Sequence, residues 1–254
     1  MKFSKAIVRK PSERFSQGLT TAKLGKPNWQ KALSQHQNYI EALETCGLKV
    51  MILEEDDRFP DSVFVEDAAI LTSKFGMVTR PGAVTRRGEA LEMDGLLHRW
   101  YKAIHQIQSP GTLDGGDIMQ VEDKFYIGLS ERTNAEGSSQ FQIILNSYGF
   151  EAIEIQVKEA LHLKSSVVYL DENRLVLTSD FSKLEIFSDF RKIVVPDKES
   201  YAANCLYLNG TVLVAAGFPG TKKAIEKAGY ETIIVDVSEF RKLDGGLSCL
   251  SLRV

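Results

Sequence analysis

Three stretches share one pattern: LETCGLKVMIL (43–53), LNSYGFEAIEI (145–155) and IEKAGYETIIV (225–235). Each reads as the end of an amphipathic helix, a glycine, and a short β-rich run. Upstream of Gly47, the residues Trp29, Leu33, Ile40 and Leu43 recur at helical spacing behind Pro27, and Phe141, Ile144, Leu145 and Tyr148 do the same before Gly149. Lacking a Cβ, glycine takes the left-handed conformation that ends a helix at little steric cost. A unit that recurs in this way bears on the whole fold, not only on its own segment.

After each such strand comes a polar loop and then an apolar hairpin. The hairpins start at Ala68 (AAILTSKFGMVTRPG), Ile118 (IMQVEDKFYIGL), Ser165 (SSVVYLDENRLVLTS) and Cys205 (CLYLNGTVLVAAG). Their tips carry turn residues: Lys74-Phe75-Gly76, Glu122-Asp123, Asp171-Glu172-Asn173 and Asn209-Gly210. A fifth unit opens at Cys249 with LSLRV, and the initial run SKAIVRKPSE (4–13) supplies its missing strand. The expected architecture is α/β, with repeated units whose termini meet to close a ring, helices outside and hairpins inside. No low-complexity linker interrupts residues 1–254, so one domain is expected. The same alternation would also suit a doubly wound sheet.

Composition narrows the function. Lys plus Arg number 31 against 34 Asp plus Glu, a net charge of −3 that offers no field for a polyanion, so nucleic acid is not an expected partner. The first ten residues are broken by Lys2, Lys5, Arg9 and Lys10 and lack a secretory leader's apolar core. No run approaches the ~18 apolar residues of a membrane span. Cys46, Cys205 and Cys249 cannot all pair and match no zinc spacing, which suits a reducing compartment. A soluble, cytoplasmic protein without a metal is expected.

The loop-to-hairpin junctions collect reactive residue types. Asp67 and Cys249 follow Gly47 and Gly229 at the same interval, and the other junctions carry Asp114 and Asp117 (LDGGDIM), His162 (LHLKSS) and Asn204 (AANC). A thiol that titrates at about 8.5 needs a base or a cationic neighbour to act as a nucleophile, and His162 can serve. The loop FPDSVFVED adds Asp61, Glu66 and Asp67. Carboxylates crowded round a thiol oppose its ionisation unless a cation binds among them, and a planar guanidinium is such a cation. Arg86 and Arg132 follow two of the hairpins and could hold a substrate carboxylate, while Gly115-Gly116 and Gly245-Gly246 allow close backbone approach. Each residue alone has a plainer reading as a core thiol, a half-buried histidine, a solvated acidic loop or a surface charge. Their shared register favours a site. His36, His98 and His105 fall in helical stretches and read as structural.

At these residues the chain resembles the dimethylarginine dimethylaminohydrolases of the pentein, or guanidine-modifying, superfamily. The resemblance runs in order through LGKPNWQKALSQHQNYIEAL, RFPDSVFVEDAAIL, TRPGAVTRRGE, GTLDGGDIM, FYIGLSERTNAEG, LHLKS, SYAANCLYLN and FRKLDGGLSC. It implies a five-unit α/β propeller, which favours the ring. It implies Cys249 as nucleophile, His162 as acid–base group and Asp114 as its carboxylate partner. Asp61, Glu66 and Asp67 match the substrate-binding acidic loop, Arg86 and Arg132 the grip on the α-carboxylate, Leu19 the covering loop, and Leu243 and Asp244 contacts beside the nucleophile. The implied reaction needs no cofactor: it converts dimethylarginine to citrulline and dimethylamine through a thiouronium on Cys249. The implied partner is a small arginine-like molecule, and a homo-oligomer is compatible with the pattern.

Two sister activities compete, arginine deiminase and citrulline hydrolase. Deiminases of the superfamily carry an Asp two residues after the histidine, where this chain has Lys164, expected to point away from substrate on an alternating strand. A non-catalytic binding protein on the same scaffold, such as the ribosome anti-association factors, would lack the Cys/His/acid set.

Overall fold

In the computed structural model, which describes residues 2–158 and 160–254, the strands sort into five three-stranded sheets of one topology. The first contains β1 (Lys5–Arg9) and β2 (Lys49–Leu53). The second is β3 (Ala69–Leu71), β4 (Gly76–Val78) and β5 (Ile104–Gln106), and the third β6 (Ile118–Val121), β7 (Lys124–Leu129) and β8 (Glu151–Gln156). The fourth is β9 (Val167–Tyr169), β10 (Arg174–Leu177) and β11 (Arg191–Val194). The fifth is β12 (Leu206–Leu208), β13 (Thr211–Ala215) and β14 (Glu231–Val235). In each, the middle strand pairs antiparallel with its hairpin partner and parallel with the strand that returns after the crossover.

The first sheet obtains its hairpin partner from the other end of the chain. β15 (Leu252–Arg253) lies antiparallel to β1, with Ala6 opposite Arg253 and Ile7 opposite Leu252. The amides of Ser4 and Lys5 both donate to the carbonyl of Val254, at 2.7 and 2.8 Å. The expected meeting of the termini is present, and the doubly wound alternative is not.

The three glycine-marked crossovers are the longer helices. Trp29–Thr45 and Ala135–Ser147 start on Asn28 and Asn134, whose side chains accept the amides of Lys31 and Gly137. Pro219–Lys227 starts on its proline, where the missing N–H costs nothing. They are followed by Gly47, Gly149 and Gly229 at φ +87°, +76° and +98°. The other two crossovers are built from the short helices Arg87–Leu91 and Met93–Leu97, and Ser179–Ser182. Their third strands, β5 and β11, therefore carried no helix–glycine–strand signature.

Five hydrophobic cores each join two neighbouring units. Ala6 and Val8 pack with Leu206 and Leu213, Ile7 and Leu252 with Val78 and Leu97, and Ile70 and Met77 with Ile118 and Phe125. Met119 and Tyr126 pack with Val167 and Leu175, and Val168 and Val176 with Val212 and Val214. Burial of this kind contributes ~25 cal/mol per Å² of apolar surface, so each unit is stabilised by both neighbours. A 3-10 turn precedes the first strand of every hairpin: Val65–Ala68, Gly115–Asp117, Leu163–Ser165, Asp197–Ala203 and Ser248–Leu250. Since the units share one topology, the five turns lie at the same end of their sheets. Among the described residues, no helix is long and apolar enough to cross a membrane.

Candidate active site

Four of these turns, with the residues immediately before them, border a narrow cleft of about 30 Å³ lined by Asp61, Asp67, Arg86, Asp114, Arg132, His162 and Cys249, together with Leu19, Leu243 and Asp244. The Nε2 of His162 lies 3.0 Å from Oδ2 of Asp114 and 3.9 Å from Oδ1 of Asp67. Asp114 is fixed in turn by the Gly82 amide on its Oδ1, at 2.8 Å. Burial alone would push the imidazole down. The charge of Asp67 and the hydrogen bond to Asp114 outweigh it and hold His162 at about 9, so the ring is an imidazolium at neutral pH. Asp67, buried as well, is drawn down to about 2 by His162 and Arg86. Oxygens of Asp67 and Asp114 and a nitrogen of His162 lie within 4.8 Å of one another, a spacing that could hold a metal ion. Here the cations that these carboxylates face are protein groups, the imidazolium and Arg86.

Glycine makes this approach possible. A Cβ on Gly116 would stand 2.6 Å from Nδ1 of His162 and 2.8 Å from Oδ1 of Asp67, whose carboxylate the Gly116 amide binds at 3.0 Å. Gly115, Gly116, Gly245 and Gly246 serve close approach, since none has positive φ.

Cys249 sits in the turn Ser248–Leu250, and its Sγ accepts the Gly246 amide at 3.5 Å. Burial, followed by the charges of Glu66 and Asp67, raises its pKa to about 12, so the resting group is a thiol. The turn is held from several sides. Asn204 accepts the Ser248 amide and donates to Ser248 Oγ, both at 3.0 Å, and the buried Tyr39 hydroxyl donates to the Leu247 carbonyl at 2.9 Å. Cys205 lies in a core and Cys46 at the end of the first long helix, as structural thiols.

Asp61 accepts the Leu19 amide at 2.9 Å, and burial raises its pKa. Asp244, at φ +60°, accepts the amide and hydroxyl of Thr21 at 2.6 and 3.2 Å. The segment around Leu19 is thereby pinned over the cleft. Arg86 is buried, with Nη1 2.6 Å from Asp67 Oδ2, while Arg132 is partly exposed and forms no ion pair among the described residues.

Glu66 is the exception. Its side chain turns away from the cleft, with Oε1 2.7 Å from both Lys164 Nζ and Arg253 Nη2 and Oε2 accepting Ser248 Oγ at 2.8 Å. Alternation about the turn sends Asp67 into the cleft and Glu66 into a second cavity of about 170 Å³, walled by first strands of the hairpins. Lys164 also lies outside the cleft, as expected, although on a 3-10 turn instead of a strand. Sequence reasoning did not select Phe64 and Leu161, which line the cleft, or Glu89, which pairs with Arg86. Phe64, an apolar residue inside an acidic loop, was the one with a visible signal.

The chain is similar to known proteins along its whole length. The family model described as N,N dimethylarginine dimethylhydrolase, eukaryotic, matches residues 9–184. A dimethylarginine dimethylaminohydrolase of Pseudomonas aeruginosa is 46% identical over 252 residues, covering 99% of both chains. A crystal structure of the Pseudomonas aeruginosa enzyme, a serine-for-cysteine variant complexed with citrulline, superposes with a TM-score of 0.98 at 45% identity, covering 100% of both chains. A crystal structure of a dimethylarginine dimethylaminohydrolase, a glycine-for-histidine variant as an adduct with S-methyl-L-thiocitrulline, gives 0.97 at 46% identity and covers 99% of this chain and 100% of that one. The chain belongs to the dimethylarginine dimethylaminohydrolase family.

Proposed function

We propose that this protein hydrolyses Nω,Nω-dimethylarginine to citrulline and dimethylamine, with Cys249 as the nucleophile. The observation that carries the reading is one cleft holding a buried thiol, an imidazolium paired with Asp114, and the further carboxylates of Asp61 and Asp67. In the empty cleft the thiol is kept neutral by burial and by Glu66 and Asp67. A guanidinium bound beside Asp67 reverses the sign of that local field, and the thiol releases its proton to solvent as the substrate enters.

The thiolate attacks the guanidinium carbon, and the tetrahedral adduct collapses as His162 gives its proton to the dimethylated nitrogen. Dimethylamine departs and a thiouronium on Cys249 remains. The neutral imidazole then takes a proton from water and the hydroxide adds to the same carbon. The C–S bond breaks as the adduct's hydroxyl proton passes to the departing sulfur, which releases citrulline and restores the Cys249 thiol. Every atom comes from substrate and water, so the sequence of steps calls on no cofactor. Arg86 and Arg132 hold the α-carboxylate, Asp61 and the backbone at Leu19 the α-amino group, and Leu243 and Asp244 support the wall beside the nucleophile.

The five units are read as a closed α/β propeller and residues 1–254 as one catalytic domain. This is supported by the β1–β15 pairing and by cores that link the units in a cycle. The test of function is a Cys249→Ser variant, which should keep the fold and lose turnover. Acid quenching of the parent during turnover should leave an adduct on the peptide containing Cys249. An adduct on Cys46 or Cys205 would refute the assignment.

A further inference from the structure

Arg86 is held by more carboxylate than its place in the cleft requires. Its Nη1 meets Asp67, while Nε and Nη2 both donate to Oε1 of Glu89, at 2.9 and 2.5 Å. Nη2 also reaches the Phe64 carbonyl at 3.0 Å. Glu89 is only 3% exposed, on the short helix Arg87–Leu91, and its Oε2 has no hydrogen-bond partner among the described residues. Leaving a buried carboxylate oxygen unpartnered is costly, and an apolar residue would avoid it. Glu89 does not line the cleft, so substrate contact does not account for it.

We propose that Glu89 is a positioning residue that aims Arg86 at the substrate α-carboxylate and so determines discrimination between amino-acid and decarboxylated substrates. The proposal rests on the reading of Arg86 given above. By gripping the Nε/Nη2 edge, Glu89 fixes the plane of the guanidinium and leaves the Nη1 end, which has a second N–H beyond the one on Asp67, for the cleft. The partly exposed Arg132, which lines the same cleft, completes the carboxylate grip.

The arrangement also ties the grip to a proton. The charged groups that face Glu89 are Arg86 from its own segment and Asp61 and Asp67 from the acidic loop packed across it. Burial raises its pKa against the pull of Arg86, to about 7. A neutral Glu89 still offers Oε1 to Arg86, so the geometry survives, and more of the arginine's charge is available to an incoming carboxylate. An ionised Glu89 competes with that carboxylate. The KM for dimethylarginine should therefore climb as pH rises through neutrality, while affinity for its decarboxylated analogue, dimethylagmatine, should not follow.

The experiment measures KM and kcat for dimethylarginine and the inhibition constant of dimethylagmatine across neutral pH, in the parent, Glu89→Gln, Glu89→Ala and Arg86→Lys. Glu89→Gln keeps the acceptor without the charge and should flatten the KM profile. Glu89→Ala frees the guanidinium and should raise KM for dimethylarginine about tenfold with a much smaller change in kcat. If Glu89→Ala does not fold, Glu89→Gln still decides the matter through its pH profile. Equal damage to both ligands in Arg86→Lys would overturn the reading of Arg86 itself. Selective damage there, with a Glu89→Gln profile unchanged from the parent, would overturn the role of Glu89 alone.

Discussion

The Nε2 of His162 rests 3.0 Å from Oδ2 of Asp114, and both side chains are buried. The charge of Asp67, joined by this contact, keeps a proton on an imidazole that burial alone would strip. The general acid of the proposed reaction is thus loaded before substrate arrives.

From this follows a pH dependence with a definite sign. A raised imidazole pKa means the acid form persists up to about 9 and is lost above it, so kcat/KM should fall as pH rises through that value. Asp114→Asn replaces an anion by a neutral amide and should move the falling limb down by about one unit. A pH–rate profile in which the limb stays in place would show that Asp114 does not hold the proton.

Arg132 should prove its role through substrate chemistry. Arg132→Lys keeps the charge but loses the planar fork, and KM for dimethylarginine should rise about tenfold, some 1.4 kcal/mol. Binding of dimethylagmatine should be barely altered. Steady-state kinetics on both ligands checks this, and a parallel loss would mark Arg132 as structural.

Glu66 belongs to stability more directly than to substrate. Glu66→Gln leaves Lys164 and Arg253 facing each other without their shared anion, a loss of about 3 kcal/mol for a broken buried pair. The melting temperature should drop by roughly 6–12 °C. Lys164→Met should cost less, because Arg253 remains on the carboxylate. Calorimetry on the two variants would reverse this assignment if Lys164→Met proved the worse.

Substrate choice follows from a carboxylate that is not there. Lys164 stands two residues after His162, where a deiminase keeps an acid, and it spends its charge on Glu66 at 2.7 Å. A dimethylated nitrogen has no N–H to offer, so a carboxylate facing it would be desolvated without a partner. N-methylated arginines should be preferred over arginine by more than about tenfold in kcat/KM. A competition assay that favours arginine, or citrulline with ornithine as product, would promote the sister activities.

Much of this was visible in the chain because glycine and turn residues repeat. Gly47, Gly149 and Gly229 are left-handed, as the repeat requires, and they set the register that puts Asp67 and Cys249 at equivalent turns. In two units the hairpin was legible but the third strand, β5 or β11, was not, since their crossovers are short helices without the terminal glycine. Glu66 misled because adjacent residues in a tight turn face opposite ways, and neighbourhood in sequence cannot tell which of the pair enters the cleft. Glu89 was silent for a related reason. A glutamate after two arginines looks solvated until the fold buries it.

The pairing of β1 with β15 also has a consequence for biosynthesis. Residues 4–7 and 252–254 are nearly the whole chain apart, and contacts of such separation carry the largest loop-closure cost and tend to form late. The other four sheets draw their strands from contiguous segments and can assemble as the polypeptide emerges from the ribosome. The turn bearing Cys249 immediately precedes β15, so the thiol acquires its surroundings only when the last strand docks on the first. A nascent chain would remain chemically silent until residues 252–254 have been translated and have paired with β1.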